Sequence, residues 1–372
     1  MTNEVLLRKT EAVMDKLIHL GGADYESDKS ISLEEAIRTG NVNRDFGIEE
    51  WDWPQGVGLF GLSMLQDYYG DKRFLDFFEN WYESNLKRGL PSRNINTTAP
   101  YLTLLQIMDY LPEKEKYEQM CKEQADWLIR ELPKTKEGGF QHVTSGIGNR
   151  NAVILNESEL WLDTIFMAVL FLWRMGLRYQ NETWKSEAEY QVLLHIKYLY
   201  NKTNGLFYHG FSFNRADNFG GVFWCRGNSW FTLGITLFLE NRDELTASTR
   251  RYIETTFRTH TEALRELQAQ DGLYHTILDD PESYEEASGS AAITAGIIRG
   301  IRLGILDDSF KSMADLGIQG IADSIAEDGT VLKVSAGTAM GMNSEHYKGI
   351  QVRPMAYGQS LALIALCEAL RR

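Results

Sequence analysis

Cysteine is scarce in this chain: Cys121, Cys225 and Cys367 are the only three in 372 residues. An odd number at such separations builds neither a disulfide framework nor a metal knuckle, and it fits a reducing compartment, so a cytoplasmic location is expected. Long apolar runs are also missing. No stretch approaches the roughly 18 residues that a membrane-spanning helix needs. At the N-terminus, Glu4, Arg8, Lys9, Glu11, Asp15 and Lys16 break up any signal-peptide core. Leu6, Val13, Leu17 and Leu20 there suggest an amphipathic helix instead. Positive charge is the minority sign, with 38 Lys and Arg against 52 Asp and Glu and a net charge of −14. Such a surface repels nucleic acid and anionic membranes, and neither is an expected partner. No Gly-rich phosphate loop precedes a strand, no GxSxG elbow occurs and no HExxH motif is found, so no metal is expected.

What is present is helical periodicity. The chain is 43% apolar and 24% charged, ample for a core. Residues 100–111, 117–132, 161–176, 185–201, 228–240, 248–270, 288–303, 310–326 and 355–371 read as helices, and Leu59–Leu65 and Phe74–Trp81 lie in two more. Strand alternation is rare. No Pro-, Gly- and Ser-rich linker divides the chain, which is read as one domain over residues 1–372.

A weak internal repeat organises these helices. GGFQH at 138–142, NGLFYHG at 204–210 and DGLYHT at 271–276 align on Gly139, Gly205 and Gly272, and DGTVLKV follows at 328–334. Each copy comes after a long helix, and the period of about 66 residues suits one helical hairpin with its loops. Six such hairpins account for the length and predict an all-α (α/α)6 barrel, a double ring of inner and outer helices. Its loops would gather His142, His209 and His275 around a common mouth. An open helical solenoid is the alternative.

Candidate chemistry lies in three segments. In WLDTIFMAVLFLWRMG, residues 161–176, a helix would place Asp163 in its first turn on one face with Met167. A first-turn acid is commonly just a cap. Trp161 beside it argues for more, because desolvation can hold a proton on a carboxylate and raise its pKa. In WCRGNSW, residues 224–230, Arg226 lies between Trp224 and Trp230. A guanidinium grips a carboxylate bidentately and indoles suit sugar faces, although a structural Arg stacked on Trp reads the same way. In RNINTTAP, residues 93–100, Asn94 and Asn96 can reach a ligand while Thr97 or Thr98 caps a helix. WDWPQGVG at 51–58 is either a sugar-stacking wall or packing.

Taken together, NTTAP, EGGFQH, WLDTIFMAV, GLFYHGF, WCRGNSW, GLYHTILDDPESYEEAS and MAYGQ run through nearly the whole chain and resemble the unsaturated rhamnogalacturonyl hydrolases of glycoside hydrolase family 105. The resemblance implies an (α/α)6 barrel acting on a small oligosaccharide that carries a lyase-generated unsaturated uronate at its non-reducing end. It implies hydration of the 4,5-double bond, with Asp163 as both proton donor and activator of water, and no cofactor. The matching binding positions are His142, Trp161, Met167, His209, Trp224, Arg226 and Trp230. Of these, Arg226 is assigned to the uronate carboxylate, and His142 and His209 to ring hydroxyls. The related unsaturated glucuronyl hydrolases have a second aspartate where this chain has Asn94, Ile95 and Asn96, which favours the rhamnogalacturonyl reading. A histidine-based sugar epimerase, an unsaturated glucuronyl hydrolase on the same fold and a non-catalytic sugar-binding protein are the competing readings. The oligomeric state stays open.

Overall fold

The structure, a computed structural model, describes residues 1–32, 34–36, 42–337 and 339–372. Its helices run α1 (Asn3–Ile18), α2 (Trp53–Tyr69), α3 (Leu75–Arg88), α4 (Ala99–Ile107), α5 (Lys114–Arg130), α6 (Leu170–Arg178), α7 (Glu182–Leu199), α8 (Cys225–Phe238), α9 (Ala247–Leu267), α10 (Ala287–Arg302), α11 (Lys311–Asp323), the short α12 (Ser344–Lys348) and α13 (Ala356–Leu370). Even-numbered helices from α2 to α10, together with α13, are apolar almost all round. Every residue of α8 is buried, as is every residue of α10 from Ala287 to Gly300. A helix without a polar face has to be enclosed on all sides. The odd-numbered helices from α1 to α11 carry only a stripe. In α1 it is Leu6, Thr10, Val13 and Leu17, and in α9 it includes Ile253, Phe257, His260 and Leu264.

These patterns decide the architecture. The enclosed helices pack in succession, α2 on α4, α4 on α6, α6 on α8, α8 on α10, α10 on α13 and α13 back on α2. The ring is therefore closed, and the solenoid alternative does not describe it. The striped helices form the outer layer, with α1 against α13, α5 against α4, α7 against α6 and α11 against α10. Close approach within the inner ring needs missing side chains: a methyl group at Gly296 of α10 would overlap the Thr232 carbonyl of α8. This is the expected (α/α)6 barrel. All three cysteines are buried and unpaired.

Each of the outer helices α5, α7, α9 and α11 ends in the same tight hairpin. Its glycine, Gly138, Gly205, Gly272 or Gly329, has a positive φ of 79°, 76°, 91° or 82°. Short antiparallel bridges such as Lys134 to Phe140, Tyr200 to Phe207 and Ile325 to Val331 close three of them. The repeat is real, but its first copy is set by Gly138 and not by Gly139 as the alignment had it.

Buried histidines tie these hairpins to the rings. His260 of α9 holds the Gly205 carbonyl at 2.9 Å through Nδ1 and faces Thr232 of α8 at 2.9 Å through Nε2. Burial pushes His195 and His260 down to about 4 and His142 down to about 3. An unfolded histidine takes up its proton near pH 6.5. Below that value the unfolded chain binds protons that the native chain refuses, so stability falls with pH. The loss is about 1.4 kcal/mol per histidine for each pH unit between about 6.5 and these lowered values. The thermal midpoint is expected to drop steadily between about pH 7 and pH 5, before most carboxylates titrate. A midpoint flat over that range would mean that these histidines are charged in the fold.

Candidate active site

The chain that leaves the first hairpin, from His142 to Met167, lines much of a cavity of about 330 Å³. The strand Glu159–Trp161 pairs antiparallel with Gly210–Ser212, and the Leu162 amide donates to the His209 carbonyl at 2.9 Å. This pairing sets the chain after Trp161 beside His209. The expected helix from Trp161 starts later: residues 159–161 are extended, and a π-helical turn, Ile165–Val169, leads into α6. Asp163 thus stands at the helix entrance, its carbonyl accepting from the Met167 amide at 3.0 Å. π-turns carry one residue more than an α-turn and recur at functional sites. Here the turn holds Met167 on the cavity wall with Asp163 and Trp161.

The Asp163 carboxylate lies 3.3 Å from His209 Nε2, with 14% of the Asp163 side chain and 2% of the His209 side chain exposed. The two atoms are in close contact without hydrogen-bond alignment, and among the described residues Asp163 Oδ2 has no hydrogen-bond partner. Burial pushes the Asp163 pKa up, but the charge of His209 and the contact with it outweigh burial and bring it below the ordinary value. The expectation that desolvation would retain its proton is therefore reversed. His142 stacks on Trp161 at 4.5 Å, nearly parallel, and its Nδ1 meets the Thr164 hydroxyl at 2.8 Å. With its pKa near 3, His142 is neutral at any working pH. Trp161 donates its indole N–H to Glu159 at 2.9 Å, and burial raises the pKa of Glu159.

Of the residues expected at the site, Asp163, Asn96, His142, Trp161 and Met167 line the cavity, and His209 backs Asp163. The others stand elsewhere. Asn94 is buried and structural: its Oδ1 accepts the Thr97 amide at 3.0 Å and its amide donates to Ser145 at 3.1 Å. Trp230 packs under the floor against Trp53 and Phe166. Trp224 lies between His209 and Arg226. Arg226 is fully buried, with its guanidinium bound to Ser288, the Ser335 and Gly337 carbonyls and, at 3.4 Å, Glu286. Its donors join the starts of α8 and α10 to the segment around residue 335, so the assignment of Arg226 to the uronate carboxylate is corrected. His275 misses the site by one position. Counting from the positive-φ glycines, His142 and His209 occupy the fourth residue, whereas the fourth after Gly272 is Thr276. Alternation along the extended arm sends His275 to the other side, where its Nδ1 meets the Ser283 carbonyl.

The cavity also has a wall of which the sequence announced only the 51–58 part. Arg44, Asp45, Asp52 and Trp53 reach it from the segment before and into α2, and Met340 and Met342 from the loop before α12. Arg44 donates to the Gly146 carbonyl at 2.7 Å and pairs with Asp52 at 3.0 Å. The only local signal was Trp53 in the tryptophan-rich 51–58 segment. Trp51 of that segment is core, donating its indole N–H to the Thr97 carbonyl at 2.8 Å. Among the described residues no three His, Cys, Asp or Glu side chains are grouped to hold a metal ion.

An acid set against histidines in a walled cavity of a helical double ring fits a glycoside hydrolase, and the chain belongs to Glycosyl Hydrolase Family 88, whose model matches residues 35–372. Among its relatives is the unsaturated rhamnogalacturonyl hydrolase YesR of Bacillus subtilis, 30% identical over 93% of this chain and 96% of that protein. A solved structure described as a possible member of family GH105, from Klebsiella pneumoniae, superposes with a TM-score of 0.90 at 33% identity, covering 100% of this chain and 94% of that one. The unsaturated glucuronyl hydrolase of Bacillus sp. GL1, at 17% identity and a TM-score of 0.70 over 98% of this chain and 96% of that one, shares the fold.

Proposed function

We propose that this enzyme removes the unsaturated galacturonate from the non-reducing end of rhamnogalacturonan oligosaccharides by hydrating its 4,5-double bond. The observation that carries the reading is Asp163, a carboxylate in a sugar-sized cavity with an oxygen unpartnered among the described residues, held against His209. The relative named as an unsaturated rhamnogalacturonyl hydrolase supports the substrate class. The protonated Asp163 would give its proton to C4 of the enol ether. Water would add at C5 and return a proton to Asp163. The hemiketal so formed opens and releases the next sugar. Free Asp163 is held as the anion, so its proton has to be recovered on binding. A substrate carboxylate entering the cavity supplies that push, because a second negative charge nearby raises a carboxylic pKa. Among the described residues Arg44 is the arginine on the cavity wall, and we assign it, in place of Arg226, to the side where the uronate carboxylate sits. Among the described residues no helix is long and apolar enough to cross a membrane, and the three unpaired cysteines support work in a reducing compartment.

The test is a pair of disaccharides, unsaturated galacturonyl–rhamnose and its saturated counterpart. Rapid loss of the enol's ultraviolet absorbance with the first, and little release of rhamnose from the second, is the expected result. Equal rates on both would mean that the double bond is not the reacting group.

A further inference from the structure

Tyr347 stands behind the site, outside the cavity wall. It lies on α12, just past the loop that brings Met340 and Met342 to the cavity, and its side chain is only 1% exposed. Its ring packs near Trp224, and its hydroxyl is 3.2 Å from His209 Nδ1. The other nitrogen of the same ring, Nε2, is the one that faces Asp163 at 3.3 Å. Two more groups meet the hydroxyl: the Gly341 amide donates to it at 3.1 Å, and Met340 Sδ lies 3.7 Å away.

Counting protons settles how these groups share their hydrogens. A phenol has one proton to give and two lone pairs to receive with. The Gly341 amide can only donate, so one lone pair is taken. With His209 neutral, the phenol proton goes to Nδ1, because an imidazole nitrogen is a far better acceptor than a thioether sulfur. The ring proton then has to sit on Nε2, facing Asp163. With His209 charged, Nδ1–H donates to the remaining lone pair and the phenol proton turns toward Met340. In both states Nε2 offers Asp163 a hydrogen and never a lone pair. The same imidazole is faced by Glu159, His142 and His346, none of which meets Nδ1.

We infer that Tyr347 is a positioning residue for the reaction: its hydroxyl fixes His209 in the tautomer that presents Nε2–H to Asp163. The role rests on Asp163 being the acid and base, and it links the loop carrying Met340 and Met342 to the reacting carboxylate.

The test is the tautomer itself, read by nitrogen-15 NMR of imidazole-labelled full-length protein, with the His209 signals assigned by their loss in His209→Gln. Neutral His209 is expected as the Nε2–H form in the wild type and also in Asp163→Ala, which leaves Nε2 without the side-chain acceptor, because Tyr347 and not the carboxylate sets it. In Tyr347→Phe both tautomers should appear. There kcat should fall about tenfold, the worth of one buried hydrogen bond, while KM stays within about twofold. An Nδ1–H form in the wild type, loss of the Nε2–H form in Asp163→Ala, or Tyr347→Phe with an unchanged tautomer and kcat would each overturn the inference. The wild-type and Asp163→Ala spectra decide the matter even if Tyr347→Phe does not fold. They need no turnover, so they separate this inference from the proposed reaction.

Discussion

Asp163→Asn is expected to fold, to bind the unsaturated disaccharide and to turn it over at least about 10²–10⁴-fold more slowly than the wild type, the contribution of a general acid and base. The substitution keeps the size of the side chain and leaves the backbone hydrogen bond from the Met167 amide untouched. It removes only the capacity to give a proton to carbon and take one from water. Single-turnover loss of the enol absorbance measures the chemistry, and quenching of tryptophan fluorescence measures binding, since Trp161 and Trp53 line the cavity. Turnover near the wild-type rate would remove Asp163 from the mechanism and return the chemistry to the histidines, as in an epimerase.

Arg226→Met is expected to act on stability. The guanidinium and the Glu286 carboxylate are both fully buried, and Glu286 also caps α10 through the Ser288 amide at 3.0 Å. Removing one partner leaves the other charge uncompensated in the interior, at a cost of about 3–5 kcal/mol. The denaturant midpoint should fall accordingly, and Glu286→Gln should lower it as well. Any surviving Arg226→Met enzyme should keep a KM close to the wild type. An unchanged midpoint with a sharply raised KM would instead put Arg226 on the substrate. The two tests are complementary: one substitution spares the fold and stops the reaction, the other spares the binding contacts and weakens the fold.

The sequence carried the barrel because each of its levels repeats. All-apolar helices alternate with striped ones, and glycine punctuates every second loop, so the double ring could be read without any long-range information. Asp163 was legible as a cavity residue for a related reason, since few carboxylates stand at the head of so apolar a segment. Arg226 was misread because indoles beside a guanidinium look alike around a sugar and around a buried ion pair. Only Glu286, sixty residues further on, distinguishes the two cases. His275 falls outside the site because the repeat places it one residue short of His142 and His209, on the opposite side of the extended arm. Trp53 was legible as a possible sugar-stacking wall, but Arg44 and Asp45 were not, because no local motif marks them and the fold alone brings them to the cavity. The Asp163 pKa was misjudged because His209, from the next hairpin, could not be placed next to it.

Closure of the inner ring has a consequence for how the chain is made. The joint between α2 and α13 unites segments about 300 residues apart, whereas every other joint of the ring links successive repeats. During synthesis the earlier hairpins can stack as they leave the ribosome, but a flank of α2 and a flank of α10, both apolar, stay wet until α13 arrives between them. A nascent chain stalled before residue 356 is an unroofed arc with two sticky edges, the kind of intermediate that chaperones bind and that aggregates when they do not. The last helix is thus the keystone of the arch, and the burden of its lateness falls on quality control before it falls on catalysis.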